Sequence, residues 1–325
     1  MLFRLHDQRI AEASGIAPGL TSPGVFYVEN DSGGTNRFFA IDRRSGATAA
    51  VITVGRARNV DWEDIAVAPD AAGTPSVWLA DIGDNDETRD EVEVYRVREP
   101  HVLRTSRNRS IHLQVSAVWR LRYPSGPVDA ESLAVAPDGT AYVVTKSPGS
   151  SVVYRLPARP SAGHVQLLHR VGRIGFLPTG TPNPFGLAGQ LVATSAAFAR
   201  DGSAFAVRTY ADAYVWRVGP AGLRAALRHA PTRVTLPHQP QGEGLGFLGR
   251  RLVIDSEGRG SAVYAVRFAL PPTRSVPRPR PTTPAPSAAE SGDRTAASVL
   301  ALIALIGLGV FALVVLLLRH AYRRR

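Results

Sequence analysis

Cysteine is absent from the 325-residue chain. Disulfides and thiolate-held metals are therefore excluded, and the sequence leaves no record of its redox compartment. Methionine occurs once, at Met1, and lysine once, at Lys146, although lysine and arginine together number 38. GC-rich codon usage biases a chain toward arginine wherever either cation serves. A lysine kept against that bias is either a survivor of codon drift or a site that needs a compact, rotatable ammonium in place of a planar guanidinium.

Dense basic runs are also missing from the folded part. Of the formal charge of +11, four units lie at Arg319, Arg323, Arg324 and Arg325, two in the stretch 270–295, and five over the first 269 residues. No nucleic-acid partner is expected from this distribution. Walker, HExxH, GxSxG and dinucleotide motifs are absent. The eight histidines are scattered without metal-ligand spacing and read as surface or core residues. The acidic stretch DIGDNDETRDE does not have its glycine and terminal glutamate at the spacing of an EF-hand loop, so it reads as a solvated hairpin tip.

One long apolar run is present. AASVLALIALIGLGVFALVVLLL, residues 296–318, carries no charge and would span a bilayer as a helix, at about 1.5 Å per residue across roughly 30 Å. The arginines of the tail 319–325 place that end in the cytoplasm by the positive-inside rule. Before the run, residues 270–295 hold seven prolines between Pro271 and Pro286, a semi-rigid stalk. The expected organisation is a domain over 1–269, a stalk, a single-pass membrane helix and a cytoplasmic tail, with the domain outside the cell. Export needs a signal, yet MLFRLHDQRIAEASG has no apolar segment or cleavage site. The true start is therefore expected upstream of Met1; the alternative is a tail-anchored protein with a cytoplasmic domain, which the terminal arginines disfavour.

Self-comparison of residues 1–269 yields five units. ASGIAPG, EDIAVAPD, ESLAVAPDG, TSAAFARDG and GEGLGFLG align as a first strand, with Ser14, Glu63, Glu131, Thr194 and Glu243 in one column at spacings of 49, 68, 63 and 49 residues. Each is followed by a second apolar strand and by a third such as VYRVR or VYRLP. A looser fourth is read in TAAVITVG, SIHLQVSAVWRLRY, HVQLLHRVG and LRAALRHA. Four strands per unit is the pattern of a β-propeller blade. The fold class is therefore all-β, a propeller of five four-stranded blades, with MLFRLHD supplying the strand missing from the last blade. A sixth blade within 158–192 is the alternative. Trp62, Trp78, Trp119 and Trp216 fall in or beside strands and read as core.

In a propeller the first strands line the central channel, so a sequence column becomes a ring. The first column brings three carboxylates to the channel mouth. The second strands end in Asn30, Asp81, Thr145, Arg208 and Asp255, followed by Asp31, Ile82, Lys146, Thr209 and Ser256. Hard oxygen ligands of this kind suit Ca2+ or Mg2+. Lys146 and Arg208 would instead neutralise the carboxylates unaided, or bind a small anionic ligand. Asp, Asn and Thr also collect at strand ends because turns favour them, and a Lys–Glu pair can be a strut between blades. Tyr210, beyond the second column, could stack on a ligand.

At DWEDIAV, LADIGDN, DAESLAV with AYVVTK, and AVRTYADAYVW, the chain resembles a group of exported, membrane-anchored β-propeller proteins of bacteria with GC-rich genomes. That resemblance covers nearly all of residues 10–268 and implies little about activity. More distantly, the acidic columns are similar to those of calcium-dependent propeller hydrolases of the gluconolactonase-like and phytase-like families. This second resemblance implies a channel metal on the counterparts Glu63, Asp81, Glu131, Glu243 and Asp255, with Thr194 and Arg208 departing from the pattern.

The leading expectation is a non-catalytic surface module that binds a ligand or an envelope protein through Asn30, Asp31, Lys146, Arg208 and Tyr210. The alternative is a metal-dependent hydrolase of esters, lactones or phosphoesters. There a mouth glutamate such as Glu131 would act as base on metal-bound water, and Lys146 would stabilise developing negative charge.

Overall fold

A computed structural model describes residues 1–32 and 35–271. The expected membrane helix 296–318, the tail 319–325 and nearly all of the stalk lie outside the described residues. Residues Met1–Pro272 form one compact unit.

The unit is all-β and has five blades. Strand β1 (Phe3–Arg4) precedes the first blade, β2 (Ala13–Pro18), β3 (Val25–Asn30), β4 (Arg37–Asp42) and β5 (Thr48–Gly55). The second blade runs β6 (Trp62–Pro69), β7 (Pro75–Asp81) and β8 (Val92–Arg98), then β9 (Arg109–Gln114) departs and β10 (Ala117–Arg122) returns as its fourth strand. The third comprises β11 (Ala130–Val135), β12 (Ala141–Thr145) and β13 (Ser150–Arg155); β14 (Val165–Leu167) departs and β15 (His169–Gly175) completes it. The fourth is β16 (Ser195–Phe198), β17 (Ala204–Arg208), β18 (Asp212–Arg217) and β19 (Thr232–Thr235). The fifth is β20 (Leu245–Leu248), β21 (Arg251–Ile254) and β22 (Ala262–Arg267), with β1 as its outer strand.

Inner strands β2, β6, β11, β16 and β20 each pack on the next, and β20 packs on β2, which closes the ring. The closure expected from MLFRLHD is present: Phe3 pairs with Val263 and Arg4 with Ala262 in antiparallel register. Gly46, at φ +72°, makes this possible. A Cβ there would collide with the Arg4 carbonyl, and the positive φ favours glycine in any case.

Three local expectations are corrected. SIHLQVSAVWRLRY is two strands, of which β9 joins the first blade in parallel beside β5, and β14 likewise crosses to the second blade beside β10. Two blades therefore have five strands. LRAALRHA is helical over its first half: α1 (Gly222–Ala226) buries Leu223 and Ala226 at the i, i+3 spacing of one helix face, and the fourth strand of that blade is β19. No sixth blade forms in 158–192. The loop there is knit by Gln190, whose Oε1 accepts from the N–H groups of Thr179 (2.7 Å) and Gly180 (3.0 Å).

All four tryptophans are buried between blades. Trp78 and Trp119 stack with centroids 5.1 Å apart, so the core reading holds. Side chains of this kind stabilise by about 1.5–3 kcal/mol each when fully buried, which fixes each blade against its neighbour.

Candidate functional site at the channel mouth

Each inner strand begins at the same end of the channel, and the first column lies there. Ladder register shifts between Ala13 and Ile16, between Trp62 and Asp64 and between Ala130 and Ser132, bulges that release Ser14, Glu63 and Glu131 from regular pairing. The two hydroxyl members act as struts. Ser14 Oγ donates to the Glu63 carbonyl (2.8 Å), and Thr194 Oγ1 donates to that of Glu243 (3.0 Å). The glutamates keep their carboxylates for the mouth. Glu131 Oε1 takes Lys146 Nζ, while Glu131 Oε2 and Glu243 Oε2 are buried without a protein partner.

The second column is committed to the backbone. Asn30 receives Glu12 N–H and donates to the Arg9 carbonyl, tying down the N-terminal segment. Asp81 accepts from Asp61 N–H (3.1 Å) and pairs with Arg89 (3.0 Å). Thr145 accepts from Val152 N–H. Asp255 accepts from Gly244 N–H (2.8 Å). Arg208 is fully buried and donates to the carbonyls of Thr209, Gly244 and Asp255 and to Gln239 Oε1. Desolvation holds its guanidinium down at about 10. Of the expected ligand-binding residues, then, Asn30 and Arg208 brace the fold, whereas Asp31 and Lys146 reach the mouth.

Asp31, Asp61 and Glu63 converge there, each offering a carboxylate oxygen within 4.8 Å of the other two. Burial, then the charge of Asp61 and a carboxyl-to-carboxyl hydrogen bond with it, push Asp31 up to about 9. Glu63 is held well above its ordinary range by burial first and Asp31 next, against the pull of Lys146. Glu243 rises to about 8 through burial, again opposed by Lys146. Burial alone would lower Lys146, but Asp129, Glu243, Glu63 and Asp31 outweigh it and keep the ammonium charged. Tyr210 is buried against Glu243, with the Phe185 ring over it at 4.4 Å.

Asp81, Ile82, Gly83 and Asp84 are buried and build the wall of this group, so this part of the stretch is not a solvated tip, whereas Asn85, Asp86, Glu87 and Thr88 beyond it are exposed. Gly83 is the permissive residue, since a Cβ there would strike Glu63 Oε1 and Asp61 Oδ2. Asp84 caps the turn by accepting Thr88 and Arg89 N–H groups at 2.8 Å, and its own N–H donates to Asp129 Oδ1 (2.9 Å).

Sequence reasoning missed Asp61, Asp129 and Asp64. The first two lie two residues before Glu63 and Glu131, and Gln241 holds the same place before Glu243. A polar column at that offset was the available signal. Asp64 is the hub of the channel. Fully buried, its Oδ2 accepts from Leu133 N–H (2.9 Å), Ser195 Oγ (2.9 Å) and Ala196 N–H (3.3 Å), joining blades two, three and four. Ser195 Oγ in turn accepts from Leu245 N–H in the fifth.

Neither a protein-family model nor any curated protein matches the sequence. Among solved structures the chain is similar to a chain of Kuenenia stuttgartiensis hydrazine synthase, at 10% identity and a TM-score of 0.39, with 80% of this chain and 96% of that one covered. At this identity and score the likeness carries no information about activity.

Proposed function

We propose that this propeller is a binding module whose channel mouth takes a positively charged ligand. One observation carries the reading: Asp31, Asp61, Glu63, Asp129, Glu131 and Glu243 gather around a single ammonium, that of Lys146. Burying carboxylates without matching cations is costly, and the raised proton affinities of Asp31, Asp61, Glu63 and Glu243 express the same deficit. A small anionic ligand fits less well, because Lys146 is taken by Glu131 and Arg208 by carbonyls. Display at the cell surface is part of the proposal and rests on the apolar run 296–318 with the arginines that follow.

The test is thermal melting of the full-length chain with organic cations, divalent metal ions and anions. A bound cation at about 100 times its dissociation constant should add about 2.7 kcal/mol of stability. Stabilisation by an anion and by no cation would overturn the reading. A second reading, hydrolysis of esters, lactones or phosphoesters, is favoured by the Glu131–Lys146 pair standing beside the carboxylate trio. It requires Glu131→Gln to abolish turnover while the protein stays folded.

A further inference from the structure

We propose that the occupant of the mouth is a hard divalent cation of the Ca2+ type, ligated by Asp31, Asp61 and Glu63. The inference rests on the acidic-mouth reading and gives it a chemical identity.

Three carboxylates from two segments converge on one point: Asp31 just past the end of β3, and Asp61 and Glu63 on either side of Trp62 where β6 begins with a bulge. Their mutual limit of 4.8 Å is what ligands on one ion at about 2.3–2.6 Å would require. The donors are all carboxylate oxygens, with neither histidine nor thiolate, a set that selects Ca2+ or Mg2+ over Zn2+. Among the two, Ca2+ suits a group held partly by loops, since Mg2+ demands near-octahedral geometry and retains several waters.

Clustered acids alone would not make a site. Two further observations point to an occupant. Glu243 is 3% exposed and Glu131 5% exposed, yet Glu243 Oε2 and Glu131 Oε2 have no protein partner. Both stand beside the group: Glu243 acts electrostatically on Asp31, and the Lys146 ammonium that pairs with Glu131 acts on Glu63 and Asp31. Oxygens of this kind would complete the coordination or hold ion-bound water. Independently, Gly83 leaves free the volume that Glu63 Oε1 and Asp61 Oδ2 need to approach each other. Asp81 fixes the Asp61 backbone from behind. Lys146 then acts as a fixed counter-charge to Glu131 at the edge of the site.

The experiment uses chelator-treated full-length protein and two readouts. In the first, Tb3+ is added and its emission excited through nearby aromatic residues: Trp62 lies between Asp61 and Glu63 in the sequence, and buried Tyr210 is within electrostatic reach of Glu63. Emission should saturate at one ion per chain and be displaced by Ca2+ at lower concentration than by Mg2+. In the second, Ca2+ is titrated into wild type, Asp31→Asn and Glu63→Gln, and the melting temperature is followed. Ca2+ should raise the wild-type value, and each variant should bind at least tenfold more weakly. Without metal, the variants should melt higher than wild type, because an amide relieves carboxylate repulsion; a merely structural role predicts lower melting.

Wild-type protein that neither binds Tb3+ nor shifts with Ca2+ or Mg2+ overturns the inference. So do variants that bind Ca2+ as wild type does. If a variant fails to fold, displacement of Tb3+ by Ca2+ on wild type still decides. Stabilisation by spermidine or another organic cation with no metal response would sink the metal and leave the acidic-mouth reading standing. No response to any cation would sink both.

Discussion

Two cations, Arg208 fully buried and Lys146 partly so, mark the difference between a point charge and a fork. Arg208 spends its guanidinium on fixed carbonyls along directions that a planar donor array can meet. Lys146 stands among carboxylates on four different inner or second-strand segments, where a compact ammonium can be shared. That environment answers why one lysine persists among arginines. Replacing Lys146 by Met in metal-free protein at pH 8 should lower unfolding stability by about 3 kcal/mol in urea melts, since Glu131 loses its partner while buried. A loss below about 0.5 kcal/mol would mean that Glu131 takes up a proton at no consequence. The three glutamates and Lys146 were legible in the sequence because a repeat aligns them. Asp64 was not: its counterparts Gly15, Ser132, Ser195 and Gly244 are small residues without a carboxylate, because only one carboxylate fits at the point where the blades meet.

At the scale of elements, the repeat found the inner three strands of each blade, where apolar runs recur, and lost accuracy outward. Outer strands are half exposed, so their patterns are weak, as in β9 and β19. The i, i+3 spacing of Leu223 and Ala226 signals helix α1, but the expectation of a fourth strand masked it. Parallel additions such as β9 on β5 are invisible locally, because the partner lies across a whole blade of sequence. The N-terminal strand is the element with the largest leverage. Leu5 is fully buried and Phe3 nearly so, and Leu2 and Leu5 donate to the Val263 and Ser261 carbonyls. Deleting residues 1–5 should lower stability by about 4 kcal/mol, mostly from the two lost side chains. It should also expose the edge of β22 to self-pairing, visible as concentration-dependent light scattering. A truncated chain that melts like the full one would show that the ring does not depend on this closure.

For the whole molecule, the buried acids make stability a function of pH with an unusual sign. Glu243 at about 8 and Asp255 at about 7, both raised first by burial, hold protons in the folded state that the unfolded chain releases near pH 4. Folded protein therefore binds more protons than unfolded protein between those limits. Metal-free stability should fall as pH rises from about 4.5 to 8, by about 1.4 kcal/mol per unit for each group still protonated. Paired surface acids such as Asp7, held down at about 2, act in the opposite sense only at lower pH. Urea melts at pH 5 and 8 in chelator check this, and equal stabilities would refute it. The closure and the crossing strands also constrain the order of events at the ribosome. The first blade is not finished until β9 has been made after most of the second, the second waits for β14 from the third, and the fifth needs β1 from the beginning of the chain. The first two blades therefore cannot be finished ahead of their neighbours, whereas the third and fourth are complete within their own stretches of chain, and β1 stays unpaired until β22 emerges. Ring closure is therefore a late step, and until β22 pairs with β1 an open ring is exposed to whatever chaperone or protease meets it first.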